Sequence, residues 1–325
     1  MYGHKTTPIF TFMFAAMLIA PLVYGAETWT LQKGEEWQAV SENPQARYLL
    51  AVSELKRLIS EGKVKELGDA IARLKESFPG TAGPDLDDFL AAEKHFAAGR
   101  FTKAVRAYDT FFARYPESPL YDAALDRELA IAVAYLSGHK KTALKVIRLK
   151  GYAEGVKIAD KVTERAGDSP IAVRASVAVA QSYEKRAKYE DAYQRWSQVS
   201  SRWPTGKTGM EALLAMARCK HAAYRGPKYD GSGLVSAKSY YENFLKRYPE
   251  ESKTYEVEKR LEQISEQLAY KEYTIAEYYD RTGSAESADI YCRMVLAQWP
   301  DSTGAKKVKD IAEQNKLVET KQEKK

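Results

Sequence analysis

Gly-Arg-Phe-Thr-Lys-Ala-Val-Arg-Ala-Tyr-Asp-Thr-Phe-Phe-Ala-Arg-Tyr-Pro, residues 99–116, is the stretch that decides the fold. Ala104, Tyr108, Phe111 and Tyr115 are spaced four, three and four apart, which puts them on one face of an α-helix. Gly99 sits before that helix, where a chain reversing between two helices needs φ > 0. Pro116 closes it, since proline has no N–H and restricts the residue before it. The segment reads as the second half of a helical hairpin, with a small slot at Ala104 for a neighbouring helix.

The same offsets return at Tyr189, Ala192, Trp196, Val199, Trp203 and Pro204. They return again at Ala237, Tyr241, Phe244, Tyr248 and Pro249, and at Gly283, Ala288, Cys292, Val295, Trp299 and Pro300. A weaker copy runs through Gly62, Val64, Ile71, Leu74, Phe78 and Pro79, with Leu67 in the alanine slot. In every copy the residue before the proline is aromatic. A degenerate unit runs to Pro170, with Ser169 where the aromatic belongs. Self-similarity at a period near 34 residues is the tetratricopeptide signature, and each unit must stack on others to bury its face. The expected fold is all-α: an α-solenoid of five to six tetratricopeptide-like helical hairpins.

The expected units are about 46–79, 87–116, 121–170, 171–204, 210–249 and 252–300, with a capping helix at 303–317 and a charged tail at 318–325. Residues 27–45 form a lead-in whose first part, 27–43, reads as irregular or weakly helical. Gly138 to Tyr152 is lysine-rich and reads as an insertion between the two helices of one repeat. Gly-Pro and Asp-Gly mark a surface loop at 225–233.

Composition fits a helical protein without a membrane domain: 45% hydrophobic, 29% charged, mean hydropathy −0.49. A formal charge of +6 on 325 residues supports neither a nucleic-acid binder nor a polybasic membrane binder. Residues 1–26 read as a secretory signal: Lys5, then a mostly apolar run from Pro8 to Tyr24, then small residues for cleavage after Gly25 or Ala26. No cysteine follows the run, so no lipid-accepting site is expected. Cys219 and Cys292 stand in different repeats and read as two unpaired thiols.

Signals for chemistry fail one by one. Gly206-Lys207-Thr208 lacks the earlier glycine of a phosphate loop, Ser201 standing in its place, and follows a helix rather than a strand. His4, His95, His139 and His221 have no metal-ligand spacing. Gly231-Ser232-Gly233 lacks the spacing of a nucleophile elbow, and Asp87-Asp88 and Glu250-Glu251 sit at helix starts, where the dipole accounts for them. The expectation is a protein that is not an enzyme and carries no cofactor or metal.

Residues 267–304 are more specific. Gln267-Leu-Ala-Tyr-Lys-Glu-Tyr-Thr-Ile-Ala-Glu-Tyr-Tyr-Asp-Arg-Thr-Gly283, then Arg293-Met-Val and Trp299-Pro-Asp-Ser-Thr, resemble the last repeat of the BamD/ComL (YfiO-like) family. Phe244-Leu-Lys-Arg-Tyr-Pro and the loop at 225–233 resemble it too. The resemblance is good over about 210–304 and looser over 87–204, where any tetratricopeptide protein would fit. It implies a periplasmic scaffold of outer-membrane β-barrel assembly, binding the barrel insertase and other machine subunits through its C-terminal repeats and unfolded outer-membrane precursors through its N-terminal ones. Localisation would be periplasmic, at the outer membrane through those partners. The missing lipid cysteine and the insertion at 138–152 depart from the family pattern. The alternative is a general periplasmic adaptor for envelope or peptidoglycan enzymes.

Two sets of residues are the candidates for binding. In the tetratricopeptide register Phe89, Glu93 and Phe96 face the groove lined by first helices, where aromatic rings would suit an extended peptide; Phe96 packing on the next repeat is the competing reading. By the resemblance, Tyr279, Arg281 and Arg293 lie where family members meet the insertase, against the reading that they are ordinary surface or stacking residues.

Overall fold

Proline-terminated helices set the architecture. A computed structural model describes residues 29–31, 37–39, 43–143 and 147–311; the signal segment 1–26 and the tail 318–325 lie outside the described residues. The chain is an all-α array of helical hairpins, divided into two compact units, 1–84 and 85–325.

In the first unit α1 (Pro44–Ser60) and α2 (Val64–Ser77) form one hairpin turning at Gly62, whose φ is +70°. Asn43 caps α1 by accepting a 3.1 Å hydrogen bond from the Ala46 N–H, and Pro44 takes the first helical position. Before α1, β1 (Trp29–Leu31) and β2 (Trp37–Ala39) pair antiparallel. These two stretches of the lead-in are therefore strands, not the irregular or weakly helical structure its composition suggests.

The second unit stacks five hairpins: α3 (Pro84–Ala97) with α4 (Phe101–Arg114), α5 (Tyr121–Leu136) with α6 (Tyr152–Arg165), α7 (Pro170–Lys185) with α8 (Tyr189–Arg202), α9 (Gly206–Ala222) with α10 (Ser232–Arg247), and α12 (Val257–Arg281) with α13 (Ala285–Gln298). The short α11 (Pro249–Thr254) leads into α12, and a terminal helix covers 303–311. Between α5 and α6, β3 (Lys140–Ala143) and β4 (Ile147–Lys150) make an antiparallel hairpin, with Lys140 opposite Lys150 and Thr142 opposite Arg148.

The aromatic–proline pairs end their helices in one way. Tyr115 (φ −132°, ψ 62°), Trp203 (φ −127°, ψ 74°), Tyr248 (φ −135°, ψ 65°) and Trp299 (φ −138°, ψ 61°) have left the helical region, yet each still donates its N–H to the carbonyl four residues back. Proline Cδ excludes the preceding residue from the α region, so the helix stops on the aromatic.

The degenerate repeat is registered differently from expectation. Its second helix starts at Tyr152, as α4 starts at Phe101 and α8 at Tyr189. Gly155 therefore fills the slot of Ala104 and Ala192, and Gly167 (φ +58°), not Pro170, stands where the other copies carry proline. The reason is steric: a Cβ on Gly155 would come within 2.9 Å of the Ala132 carbonyl and of Leu136 on α5. Ala104, Ala192 and Ala237 have no exposed surface, and both cysteines are free. Burial pushes the Cys219 thiol up to about 12.

Candidate partner-docking surface

The first-helix face of α3 does not offer a groove. Phe89 has no exposed surface and packs between the rings of Tyr108 (6.2 Å) and Phe111 (6.0 Å). Glu93, only 2% exposed, accepts a 2.6 Å hydrogen bond from Tyr108 Oη and another of 2.9 Å from Arg127 Nε on α5. Phe96 is half-buried under the Arg127 guanidinium, 4.6 Å from its ring centre, and lies 5.8 Å from Phe101. These three residues share a helix face, as their spacing says, but that face clamps α3 to α4 and α5. Phe89 and Glu93 are core, which corrects the groove assignment, and Phe96 packs on the neighbouring repeat.

A polar network missed by the sequence reading follows on the next hairpin. Glu128 on α5 has no exposed surface, and its Oε2 accepts a 2.6 Å hydrogen bond from Arg165. Arg165 also donates to Asp109 at 2.5 Å and stacks 4.5 Å over Phe112, while Lys161 reaches Asp109 at 2.9 Å. Burial drives the Glu128 carboxyl up to about 7, with Arg165 opposing it only in part. Burial also works against the charge of Asp109, but there Arg165 and Lys161 prevail and hold it below its ordinary value. The Glu93–Arg127 and Asp109–Arg165 contacts thus join one repeat to the next, and Glu128–Arg165 closes a single hairpin.

The last two hairpins carry exposed tyrosines beside their core. The first half of α12 packs through Val257, Ile264 and Leu268 onto a core with Leu213, Ala217, Leu234, Tyr241 and Phe244. Its second half packs through Tyr273 onto Val295, Ala305 and Val308. The terminal helix is seated there by three devices. Ser302 Oγ accepts from the Ala305 N–H at 3.1 Å, Glu266 Oε2 accepts from the Thr303 N–H at 3.0 Å, and Gly304 lies so close that a Cβ would stand 2.7 Å from the Ala269 carbonyl.

A concavity of about 320 Å³ lies among Asp160, Thr163, Ser176 and Arg195 on α6, α7 and α8, and two more lie toward the C-terminus. One, of about 300 Å³, has a floor of Ala276, Ala288, Cys292, Leu296, Val308 and Ile311, with Glu277, Asp280, Asp289 and Arg293 at its rim. The other, of about 340 Å³, lies among Tyr224, Pro227, Glu266, Gln267, Tyr270 and Thr303, between the loop 223–231 and the first-helix face of α12. Lys271 Nζ fixes that loop by donating to the Tyr229 carbonyl at 2.8 Å, and Arg225 lies 4.4 Å over the Tyr229 ring. Tyr229 is 48% and Tyr270 38% exposed, and Lys307 approaches the Tyr270 ring at 5.9 Å. Exposed tyrosines beside cations and a shallow cavity suit protein recognition.

Of the docking candidates, only Arg293 lines a concavity, where it is ion-paired with Asp289 one turn earlier. Tyr279 is half-buried and stacks on Tyr291 of α13 at 5.6 Å, so its ring holds the hairpin together. Arg281 is exposed at the last position of α12, away from both concavities. Tyr229 and Tyr270 were not singled out by sequence. Both lie in stretches that carry the family resemblance, but only folding brings loop and helix side by side.

Residues 223–325 match the family described as "YfiO: Outer membrane lipoprotein", and the match leaves residues 1–222 unassigned. No curated protein matches the sequence. Among solved structures, the apo form of RapI is 14% identical, with a TM-score of 0.35, over 83% of this chain and 70% of that one. PilW, described as a widely conserved type IV pilus biogenesis factor, is also 14% identical, with a TM-score of 0.30, over 80% of this chain and 97% of that one. At that degree of superposition neither bears on what this chain does.

Proposed function

We propose that this chain is a non-enzymatic scaffold of outer-membrane β-barrel protein assembly, docking on the barrel insertase through its last two hairpins. The observation that carries the reading is a coincidence of place: the family match at 223–325 spans two of the concavities and the exposed Tyr229 and Tyr270. The earlier hairpins of the second unit, joined by the Glu93–Arg127 and Asp109–Arg165 contacts, act as an arm that presents this end. The chain works in the periplasm after removal of residues 1–26, and unfolded precursors are its second class of partner. Among the described residues no helix is long and apolar enough to cross a membrane.

Cross-linked pull-downs from cell envelopes test the reading. Wild type should recover the insertase, and Tyr229→Ala/Tyr270→Ala/Arg293→Glu, all on the surface, should lose it while melting normally. Recovery of only peptidoglycan enzymes or division proteins would assign the chain to the general adaptors instead.

A further inference from the structure

Second helices of successive hairpins meet along a groove, and two such grooves can be compared position by position. Between α4 and α6, Asp109 is met by Lys161 at 2.9 Å and by Arg165 at 2.5 Å, and Phe112 lies under the Arg165 guanidinium. That groove is filled. Between α6 and α8 the same offsets bring Asp160 for Asp109, Thr163 for Phe112, Gln198 for Lys161 and Arg202 for Arg165. Arg202 turns away from Asp160: it donates to the Gly167 carbonyl at 2.6 Å and to Asp168 at 3.1 Å, and lies 4.8 Å over Trp203. With a short hydroxyl side chain in place of a phenyl ring and no lysine crossing, this groove stays open as the concavity of about 320 Å³.

The chemistry of that opening is neutral and hydrogen-bonding. Arg195 is committed to both oxygens of Asp160, at 2.9 and 3.0 Å, and Arg202 is committed to Asp168 and the Gly167 carbonyl. Along the lining the carboxylates of Asp160 and Glu164 balance those two arginines, so net charge favours neither an anion nor a cation. Thr163 Oγ1 and Ser176 Oγ lie 3.2 Å apart across α6 and α7. Neither the Glu164 carboxylate nor the Gln198 amide is tied to another side chain among the described residues, and the Trp203 Nε1–H is buried there without a partner. Val199 and Trp203 are the apolar side chains of the lining, and every other position carries a hydrogen-bonding group.

We propose that this concavity is a carbohydrate site, taking a neutral sugar unit between α6 and α8. A hydroxyl both donates and accepts, so adjacent hydroxyls of one ring give protons to Glu164 and accept them from the Gln198 amide and the Thr163 or Ser176 hydroxyl. An anion would have to break the Asp160–Arg195 pair, and a metal ion would meet the guanidinia instead of free carboxylates. A partner's apolar side chain would find few mates in the lining. The site lies outside residues 223–325 and is independent of the insertase, so it ties the array to a glycan while the last hairpins dock elsewhere.

Titration of the ¹⁵N-labelled exported chain with chitotriose and with maltotriose tests it, read at the Trp203 indole N–H resonance, which is identified by its loss in Trp203→Phe. That resonance should move with saccharide while the Trp299 indole stays in place. Movement with chitotriose alone assigns an acetamido glycan, and movement with both assigns hexose chains in general. Glu164→Ala and Gln198→Ala, at exposed positions, should each weaken binding about ten-fold. Thr163→Phe, which gives α6 the residue that fills the preceding groove, should abolish it. A Trp203 resonance unmoved by either saccharide, or moved as far in a folded Thr163→Phe, would overturn the proposal. A response to inorganic phosphate or to a Gly-Ser peptide, with none to saccharide, would also overturn it and assign the opening to an anion or to a partner chain.

Discussion

Glu128 Oε2 accepts a 2.6 Å hydrogen bond from Arg165 Nη1 across the α5/α6 hairpin, at a carboxylate with no exposed surface whose Oε1 has no partner among the described residues. Because burial raises its folded pKa from 4.5 to about 7, the native state holds that proton more tightly than the unfolded chain does. The resulting stabilisation is complete below the unfolded value, declines as pH rises, and is gone above about 7. Glu128→Gln should therefore flatten the fall in stability between about pH 5 and pH 7.5, a difference of roughly 2–3 kcal/mol. Urea midpoints at the two pH values measure it. An equally steep fall in the variant would show that another group carries the proton.

The alanine slots should resist enlargement. Ala104→Leu and Ala192→Leu each force a side chain into a fully buried helix crossing and should cost roughly 1–3 kcal/mol. Lys103→Ala, at an exposed position on the same helix, should stay within about 0.5 kcal/mol. Thermal melts compare them; equal shifts at slot and surface would mean that the repeat register is wrong.

Phe89 should behave as core rather than as a peptide contact. Phe89→Ala removes the ring between Tyr108 and Phe111 and should cost roughly 3–5 kcal/mol. Its exposed neighbour on the same helix, Lys94→Ala, should be near neutral. A folded Phe89→Ala of wild-type stability that has lost affinity for an aromatic barrel peptide would restore the groove reading.

Gly304→Ala should unseat the terminal helix. The new methyl would stand 2.7 Å from the Ala269 carbonyl, which is backbone and cannot swing aside. Hydrogen exchange over 303–311 should accelerate while exchange in α9 stays unchanged, and exchange as slow as wild type would refute the close approach.

Export should trim the chain. Residues 1–26 end in small residues with no cysteine next to them, so intact mass of the exported protein should show a start near Ala26 or Glu27 and no acyl chain. An intact Met1 or an added lipid mass would defeat this.

Helix faces were legible because their period is local. Tyr108, Phe111, Trp196 and Phe244, picked by spacing, all prove to have no exposed surface. What covers a face was not legible. Spacing put Phe89, Glu93 and Phe96 on one side of α3, but the partner that closes that side, Arg127, comes from the next hairpin 34 residues after Glu93. Residues 29–31 and 37–39 escaped the reading for a related reason: three-residue strands have almost no pattern of their own and exist through the ladder that pairs Trp29 with Ala39. Tyr229 and Tyr270 become a surface only when Lys271 ties the loop to α12.

By itself the sequence determined what depends on neighbours in the chain: helices from 3.6-residue periodicity, their ends from aromatic–proline pairs, and reversals from glycines such as Gly99 and Gly283. Only the tertiary structure decided what depends on position in space. Along the chain, Glu93 and Arg127 are far apart, as are Glu128 and Arg165, and neither segment announces the other. Because the helices stack, the fold sets Arg127 beside the buried Glu93 and Arg165 beside the buried Glu128. Spacing along a chain fixes only which face of a helix a residue takes, whereas stacking decides what closes that face.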